Sequence, residues 1–429
     1  MQKLELKLLL FLCATSVIAG TLSLDEAIHK TLRAHPDMQM AMMRQASALS
    51  DAQSIRSALR PRVDATVGYY PTKTFVMPSN GVFSTRESDA FHADVTGSYT
   101  LWDAGRAENR FSASLYKKSE ADANRYAATN TLIEQVRLHY YTLAYLDSRK
   151  HTAEQSVRFY QAQYERSLSM RKNGLKTEAD ESRFKASLME AKDALSAINA
   201  ENDKSALALS LLMGEDGAIQ IEKEELDRRA DAIFPIESSA PLRQKLSSQN
   251  PQLKALQAAT DHAKAVFEAS GKEQYGSVAL IGSYGYDNSL SSYNSSLVGV
   301  VGTIPLYEGG KITAEEQKSR IALSLAQKEY ESTERTLYGE LYDSYSDIKR
   351  SDEAIFAQKS IIDAAQKTLL LIEGRYTQGL ATYVDVLEAQ SVVENGYIGL
   401  AEAKFQKIRA WAHMEKMLNE GCDNDVCKK

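Results

Sequence analysis

The sequence predicts a mixed α and β fold in which one structural unit occurs twice. Three observations support this prediction: a long internal repeat, two unusually long helix-forming stretches, and four short segments in which apolar and polar residues alternate. Residues 101–106 return as 306–311, an offset of 306 − 101 = 205, and the same offset relates Tyr140 to Tyr345. A repeat of this size is too large for a solenoid unit, so we interpret it as an internal duplication.

The offset between the two copies changes upstream of this match. Pro36 corresponds to Pro251, an offset of 251 − 36 = 215, so the ten-residue difference lies between the two matches. The predicted segments are a first repeat, a linker, a second repeat and a C-terminal tail, at residues 21–213, 214–240, 241–418 and 419–429.

The first residues of the chain have the pattern of an export signal. Lys3 and Lys7 supply positive charge, residues 8–14 are apolar, and small residues near Ala19 provide a cleavage site. The apolar run is shorter than the roughly 20 residues that a membrane-spanning helix needs. We therefore expect a signal peptide at 1–20 rather than a membrane anchor.

Composition and motifs argue against several classes of protein. The net charge is −6, with 51 basic and 57 acidic residues, so no nucleic-acid partner is expected. Beyond the signal, no uninterrupted apolar stretch has the length of a membrane-spanning helix. The sequence contains no nucleophile elbow, phosphate loop or metalloprotease helix, and its seven histidines are dispersed. We expect no enzymatic activity and no cofactor.

Two cysteines remain after removal of the signal, and both lie near the end of the chain. Cys422 and Cys427 could form a disulfide in an oxidising compartment, or they could remain two unpaired thiols. Two thiols without a nearby histidine make only half of a zinc ligand set, so we expect no metal site.

Each repeat is predicted to begin with a shorter helix, at about 24–58 and 241–270. A much longer helix follows later in each repeat. Residues 106–172 contain neither proline nor glycine, and the matching stretch at 311–373 is interrupted only by Gly339. At 1.5 Å per residue such a helix extends on the order of 100 Å, which points to a coiled-coil-like bundle.

Each long helix is predicted to end at a tight turn and to return as a second helix. Gly174 and Gly379 stand at the two turns, where a glycine adopts the left-handed conformation readily. The returning helices are expected at about 177–212 and 382–418, so each repeat contains a long helical hairpin.

Four strands are predicted between the short and the long helices. Three of them alternate apolar and polar residues, while the fourth is apolar on both faces and fits less well. The intervening segments 71–90 and 287–295 are polar and are expected to be loops. The predicted strands are 62–70, 91–102, 276–286 and 295–306.

The alternation alone is typical both of transmembrane β-barrel strands and of a soluble antiparallel sheet. The number of strands is compatible with a transmembrane barrel only if several chains contribute strands to it. Four strands cannot close a barrel, and an open sheet edge cannot lie in lipid. Three chains would supply 4 × 3 = 12 strands, an even number within the range of known barrels.

Several residue groups resemble the TolC-like outer-membrane efflux proteins, along essentially the whole mature length. The similar segments are Leu24-Asp25-Glu26-Ala27 leading to His35-Pro36, the paired strand ends 101–105 and 306–310, and Gly379 followed by 383–389. The resemblance implies a homotrimer, with a twelve-stranded β-barrel in the outer membrane continued by an α-helical barrel through the periplasm. It also implies a passive exit duct for drugs or secreted polypeptides, which works with an inner-membrane pump and a periplasmic adaptor.

Two acidic residues after the second turn are the first candidate site. Asp385 and Glu388 are three residues apart, so a helix places both on one face. In the family, the matching positions form acidic rings at the periplasmic mouth. Threefold symmetry would gather six carboxylates there and make the mouth attract cations. The alternative is a solvated acidic face of a single helix.

The first repeat has Asp180 and Arg183 at the equivalent positions. Asp180 resembles the family position that helps to hold the mouth closed together with Tyr376. The usual arginine partner, however, falls on Ala381 in this sequence. Candidate substitutes for that arginine are Lys176, Arg183 and Arg375.

Two other functions compete with an exit duct. A periplasmic structural or adaptor protein could combine a helical coiled coil with a soluble sheet. A passive porin is the other, but it has no use for periplasmic helices on the order of 100 Å long.

Overall fold

The computed structural model describes residues 21–76, 81, 84–215, 219–222, 225–233, 240–288 and 292–420. The expected signal peptide and both cysteines of the tail, Cys422 and Cys427, lie outside these residues. The described helices are α1 Leu24–Ala34, α2 Pro36–Arg56, α3 Arg106–Lys172, α4 Glu178–Met213, α5 Glu225–Ala232, α6 Ala240–Gln249, α7 Pro251–Gly271, α8 Lys311–Thr377 and α9 Tyr383–Leu418. The strands are β1 Arg62–Val76, β2 Ser84–Trp102, β3 Ser277–Asp287 and β4 Tyr293–Thr303.

The duplication is visible in the lengths of the helices. The long helices α3 and α8 each have 67 residues, and the returning helices α4 and α9 each have 36. The shorter helices α2 and α7 each have 21 residues. The ten-residue difference therefore lies between α2 and α3, in the first pair of strands.

The first pair of strands is longer than the sequence predicts. β1 and β2 have 15 and 19 residues, against 11 in each of β3 and β4. Antiparallel pairing continues from Arg62 with Ser98 to Val76 with Ser84, so much of the segment 71–90, predicted as a loop, is strand. Polar residues remain in a strand here because the ladder satisfies their backbone groups whatever the side chain. β4 instead ends before Pro305, which has no N–H to donate.

The short helix predicted to open each repeat is divided into two. His35 and Asn250 have extended backbones, with ψ of 129° and 123°, and each precedes a proline that begins the next helix. A residue before proline avoids the helical conformation, and proline is favourable at the first helical position. The side chains of both residues accept a backbone N–H of the helix that follows. α5 lies within 214–240, the segment predicted as a linker.

The helices form a layer four helices wide that continues from the sheet. In the part next to the sheet, α2 packs on α3, α3 on α7, and α7 on α8. In the part beyond it, α4 packs on α3, and α9 packs on both α3 and α8. The long helices α3 and α8 pass through both parts, so they connect the strands to the distant turns.

The main hydrophobic core lies near the middle of α3, where the shorter helices pack on the layer. Tyr140 is fully buried there, and its hydroxyl donates a hydrogen bond of 3.1 Å to the carbonyl of Leu22. A second and smaller cluster lies at the turn end of the hairpins. In the part of the chain that the structure describes, two separate apolar clusters therefore stabilise the helical layer.

The strands form one antiparallel sheet in the order β1-β2-β3-β4. One transverse row joins Val63, Gly97, Gly282 and Val298, and the next row on the same face contains Val95 and Tyr284. The rows of the opposite face contain the polar residues Asp64, Thr66, His92, Asp94, Thr96, Ser283 and Asp287. The sheet thus has one apolar face and one face that is mainly polar in β1 to β3, where β4 instead places Leu297 and Val301.

None of the helices in the described ranges is long and apolar enough to cross a membrane.

Candidate functional site

Both hairpin turns are closed by a glycine in the left-handed conformation. Gly174 has φ of +72° and Gly379 has φ of +76°. In each turn the residue after the glycine donates its N–H to a carbonyl five residues earlier, at 2.9 Å, from Leu175 to Met170 and from Leu380 to Arg375. These bonds define the Schellman motif, in which glycine is favoured because it has no Cβ. The turn positions are those that the sequence predicts.

Replacement of Gly379 by valine should destabilise the second turn by about 1–2 kcal/mol because a β-branched residue resists positive φ. A Cβ at Gly379 meets no atom within 4 Å, so the cost is conformational rather than steric. Gly339 in the interior of α8 also has open space around it and is the matched control. Gly339→Ala should raise stability by up to about 1 kcal/mol. Heat dissociation of the purified oligomer measures both variants, and equal effects would contradict the turn assignment.

A threonine and an aspartate cap the helix that follows each turn. Asp385 Oδ2 accepts hydrogen bonds from the N–H of Thr382 at 2.7 Å and from its hydroxyl at 2.8 Å, and Thr382 Oγ1 accepts the N–H of Asp385. Thr177 and Asp180 make the same bonds in the first turn. This reciprocal pattern is the capping box.

The capping boxes give both candidate aspartates a structural role. The hydrogen bonds from Thr382 hold the pKa of Asp385 below its usual value. Sequence reasoning missed this role, although threonine followed three residues later by an acid at the start of a helix is its signal. Glu388, one turn further along α9, is exposed and has no part in the cap.

Tyr376 lies in the small apolar cluster at the turns. It is fully buried, and its ring meets that of Phe184 edge-to-face, with 5.9 Å between centroids. Its hydroxyl has no hydrogen-bond partner in the described part of the chain, so the closeness of Asp180 does not amount to a hydrogen bond. Burial, followed by the nearby charge of Asp180, raises the pKa of Tyr376 to about 12.

One of the three candidate cations contacts Tyr376. The Nζ atom of Lys176 lies 4.3 Å from the centre of its ring, within the range of a cation–π interaction. Arg183 and Arg375 are exposed side chains on α4 and α8. The small side chain of Ala381 packs against the apolar cluster. Sequence reasoning did not identify Phe184, which no local pattern distinguishes from an ordinary core residue.

The described residues contain no group of three or more histidine, cysteine, aspartate or glutamate side chains that could hold a metal ion.

The chain is similar to known proteins in sequence and in structure. The family model described as outer membrane efflux protein matches residues 27–215 and 242–420. The outer membrane protein TolC of Vibrio cholerae is 25% identical over 442 aligned positions, which cover 96% of this chain and 95% of that protein. The alkaline protease secretion protein AprF of Pseudomonas aeruginosa is 21% identical, over 92% of this chain and 84% of that protein.

Solved structures have the same fold. CusC superimposes with a TM-score of 0.82 at 18% identity, covering 92% of this chain and 91% of that one. The outer membrane protein VceC of Vibrio cholerae superimposes with a TM-score of 0.80 at 19% identity, covering 92% of this chain and 95% of that one.

These matches decide between the competing functions. The family model covers both repeats, and the relatives named here align over nearly the whole chain, so the similarity is not confined to a coiled-coil segment. The matched proteins are outer-membrane efflux and secretion components, which supports the exit duct and not the periplasmic adaptor. The chain therefore belongs to the outer membrane efflux protein family and is an outer-membrane export channel.

Proposed function

We propose that three copies of this chain form a continuous duct from the periplasm to the cell exterior. The observation that supports a trimer is the four-stranded sheet. Within the described part of the chain, β1 and β4 each pair on one side only. Unpaired backbone groups cannot lie in lipid, so each outer edge requires a partner, and 4 × 3 = 12 strands close a barrel.

The two faces of the sheet suit this arrangement. The face that contains Val63, Val95 and Val298 would contact lipid, and the face that contains Asp64, Asp94 and Asp287 would line the water-filled interior. Such a division between faces is characteristic of barrels that conduct polar solutes. The helices would continue the duct into the periplasm, where the hairpin turns form its far end.

We propose a periplasmic adaptor and an inner-membrane pump as the partners of this end. Relatives are named for the secretion of alkaline protease, the export of pyoverdine and the efflux of toluene. These cargoes have little chemistry in common, although the chains that export them are similar to this one. We therefore assign the choice between drugs and secreted polypeptides to the pump and the adaptor, and passive conduction to this chain.

Chemical crosslinking in mild detergent tests the trimer. We expect crosslinking of the purified protein to saturate at three chains, and heating to convert the crosslinked species from a compact to an unfolded form. Saturation at a dimer, or recovery of monomer alone, would contradict the shared barrel.

The gate at the periplasmic mouth is the second part of the proposal. Asp385 and Glu388 lie in the first two turns of α9, beside the Gly379 turn. Three copies around the axis would bring six carboxylates into one constriction, which attracts multivalent cations. We propose that Asp180 and Tyr376 act near the same mouth. As a substitute for the family's arginine, Arg183 is less favoured than Lys176, because Arg183 is exposed whereas Lys176 contacts Tyr376.

We expect Asp385→Asn combined with Glu388→Gln to abolish block by trivalent cations and to reduce cation selectivity. Both replacements remove charge, while asparagine retains an oxygen that can cap Thr382. The block of the parent should weaken in high salt because exposed charges are screened. Single-channel recording in planar bilayers measures these properties. Glu331→Gln, an exposed acid in α8 paired with Lys328, is the control and should behave as the parent.

If the double variant keeps the cation selectivity and the block of the parent, the two acids are an ordinary solvated helix face.

A further inference from the structure

The cluster at the hairpin turns joins the two repeats. Its three fully buried residues are Phe184 from α4, Tyr376 from α8 and Val386 from α9. The first belongs to the hairpin of the first repeat, and the other two belong to that of the second. The cluster is separate from the main core around the middle of α3. It is therefore an independent point of attachment between the hairpins.

The contact between Phe184 and Tyr376 connects two helices that are otherwise apart. Over most of their length, α4 packs on α3 and α8 packs on α9, while α3 and α9 form the seam between the hairpins. Among the described residues, the cluster at the turn ends contains side chains of the four longest helices and of the second turn, and none from a shorter helix. The aromatic contact is joined at this end by a hydrogen bond of 2.5 Å from Gln163 Nε2 on α3 to Glu373 Oε1 on α8, so an apolar and a polar contact both connect the hairpins here.

A cation from the first turn covers this contact. Lys176 lies between Gly174 and the start of α4, yet its Nζ atom is 4.3 Å from the centre of the Tyr376 ring on the second hairpin. An ammonium group over a tyrosine ring is attracted by the negative face of the ring. The interaction crosses from one hairpin to the other, as does the Phe184 contact.

The duplication makes the two turns complementary at these positions. With the offset of 205, Lys176 corresponds to Ala381 because 381 − 176 = 205, and Phe184 corresponds to Ala389 because 389 − 184 = 205. The first turn thus supplies a cation and a large ring where the second has two alanines. The second turn supplies Tyr376, the ring that both of them contact.

We propose that Phe184 and Lys176 are the residues that hold the mouth closed through their contacts with Tyr376. We call these three residues the aromatic latch. The inference rests on the proposed gate and names the contacts that keep it shut. The Asp180 carboxylate has a smaller part because, among the described residues, it accepts no hydrogen bond from Tyr376, whereas its Oδ2 accepts two from Thr177.

The buried hydroxyl of Tyr376 makes it possible to distinguish the aromatic latch from a gate that is held closed by hydrogen bonds. In the structure this hydroxyl has no partner among the described residues. An open mouth would give it water. An unpaired buried hydroxyl disfavours the state that buries it. Removal of the hydroxyl should therefore favour the closed mouth, while a gate held by a Tyr376 hydrogen bond would open.

Channel conductance of the full-length trimer in planar bilayers tests the latch. We expect Phe184→Ala to raise the conductance several-fold, Lys176→Gln to raise it less, and Tyr376→Phe to leave it unchanged or lower. Phe356→Ala removes an exposed ring from α8 and should match the parent. Parent-like conductance of Phe184→Ala, or an increase for Tyr376→Phe as large as that for Phe184→Ala, would overturn the latch.

The dependence of channel conductance on ionic strength provides an independent test of the latch. A mouth held mainly by an apolar contact should stay closed at high ionic strength because burial of apolar groups is not screened as exposed charges are. After correction for the conductivity of the solution, we expect no opening of the parent between low and high salt. Salt-induced opening would overturn the latch in favour of ion pairs.

A crosslinking experiment distinguishes the loss of the aromatic contact from misfolding of the Phe184→Ala variant. In a chain with Cys422 and Cys427 replaced by serine, Phe184→Cys and Tyr376→Cys together should give an open channel. A short bifunctional thiol reagent should close it, and a failure to close would count against the latch. Trimer crosslinking and trivalent-cation block, measured on the same samples, test the proposed function separately, since both can persist when the latch is wrong.

Discussion

Replacement of Lys407 by methionine is expected to destabilise the protein by about 3 kcal/mol or more, because it leaves buried acceptors without a donor. The Lys407 side chain on α9 is buried, and its Nζ atom donates to the carbonyls of Ala230 at 2.9 Å and Ile233 at 2.7 Å. It also forms an ion pair of 2.8 Å with Asp352 on α8. One ammonium group thus attaches the end of α5 to both helices of the second hairpin.

Lys404 is the matched control for this experiment. It is also buried on α9, one turn away, and its Nζ atom lies 2.7 Å from Asp227 of α5. The Asp227 side chain is 56% exposed, so water replaces the lost partner when Lys404 becomes methionine. We expect a loss of roughly 1 kcal/mol or less for this variant. Denaturant unfolding of the purified trimer measures both, and equal losses would show that the carbonyl contacts of Lys407 contribute little.

Replacement of Val95 by arginine is expected to impair assembly into the outer membrane by about 2–4 kcal/mol per chain, the cost of a cation facing lipid near the middle of a barrel. Val95 lies on the apolar face of the central strand β2, between rows that contain valines, and its side chain is exposed in the single chain. Thr96, the next residue, is equally open but faces the polar side. Thr96→Arg should assemble normally.

The fraction of heat-modifiable trimer in outer-membrane preparations measures both variants. Both positions are in a central strand, so neither variant disturbs the contact between subunits. Normal assembly of Val95→Arg, or equal losses for the two variants, would show that the apolar face does not contact lipid.

Two of the candidate acids have a structural role in addition to the proposed role in the gate. Asp180 and Asp385 resemble gate positions of the family, yet both serve first as capping residues of the returning helices. A capping aspartate is held at the start of its helix, which fixes the position of the carboxylate beside the turn. The cap and the proposed ring are therefore compatible, and the gate variants must preserve the cap for their effect to be attributed to charge.

Features that depend on near neighbours can be predicted from the sequence alone. The absence of proline and glycine over 106–172 is enough to predict α3 because helical hydrogen bonds join residues four apart. Gly174 and Gly379 mark the turns because positive φ is a property of one residue and its backbone. The duplication needed only comparison of the chain with itself.

The short helices and the segment 71–90 differ from what the sequence predicts. His35-Pro36 and Asn250-Pro251 divide the short helices, as the conformational restriction before proline requires. The segment 71–90 is predicted as a polar loop, yet 71–76 and 84–90 lie in strands, because strand pairing depends on the backbone of the partner rather than on local polarity.

Contacts between distant residues depend on how the helices pack and cannot be predicted from local sequence. Phe184 and Tyr376 are 376 − 184 = 192 residues apart, and no spacing in the sequence relates them. Lys407 could not be identified as a buried donor either, because the carbonyls it binds belong to α5 and the residue after it. Such contacts depend on how complete helices pack, since packing places side chains that local conformation leaves free to point toward solvent or toward one another.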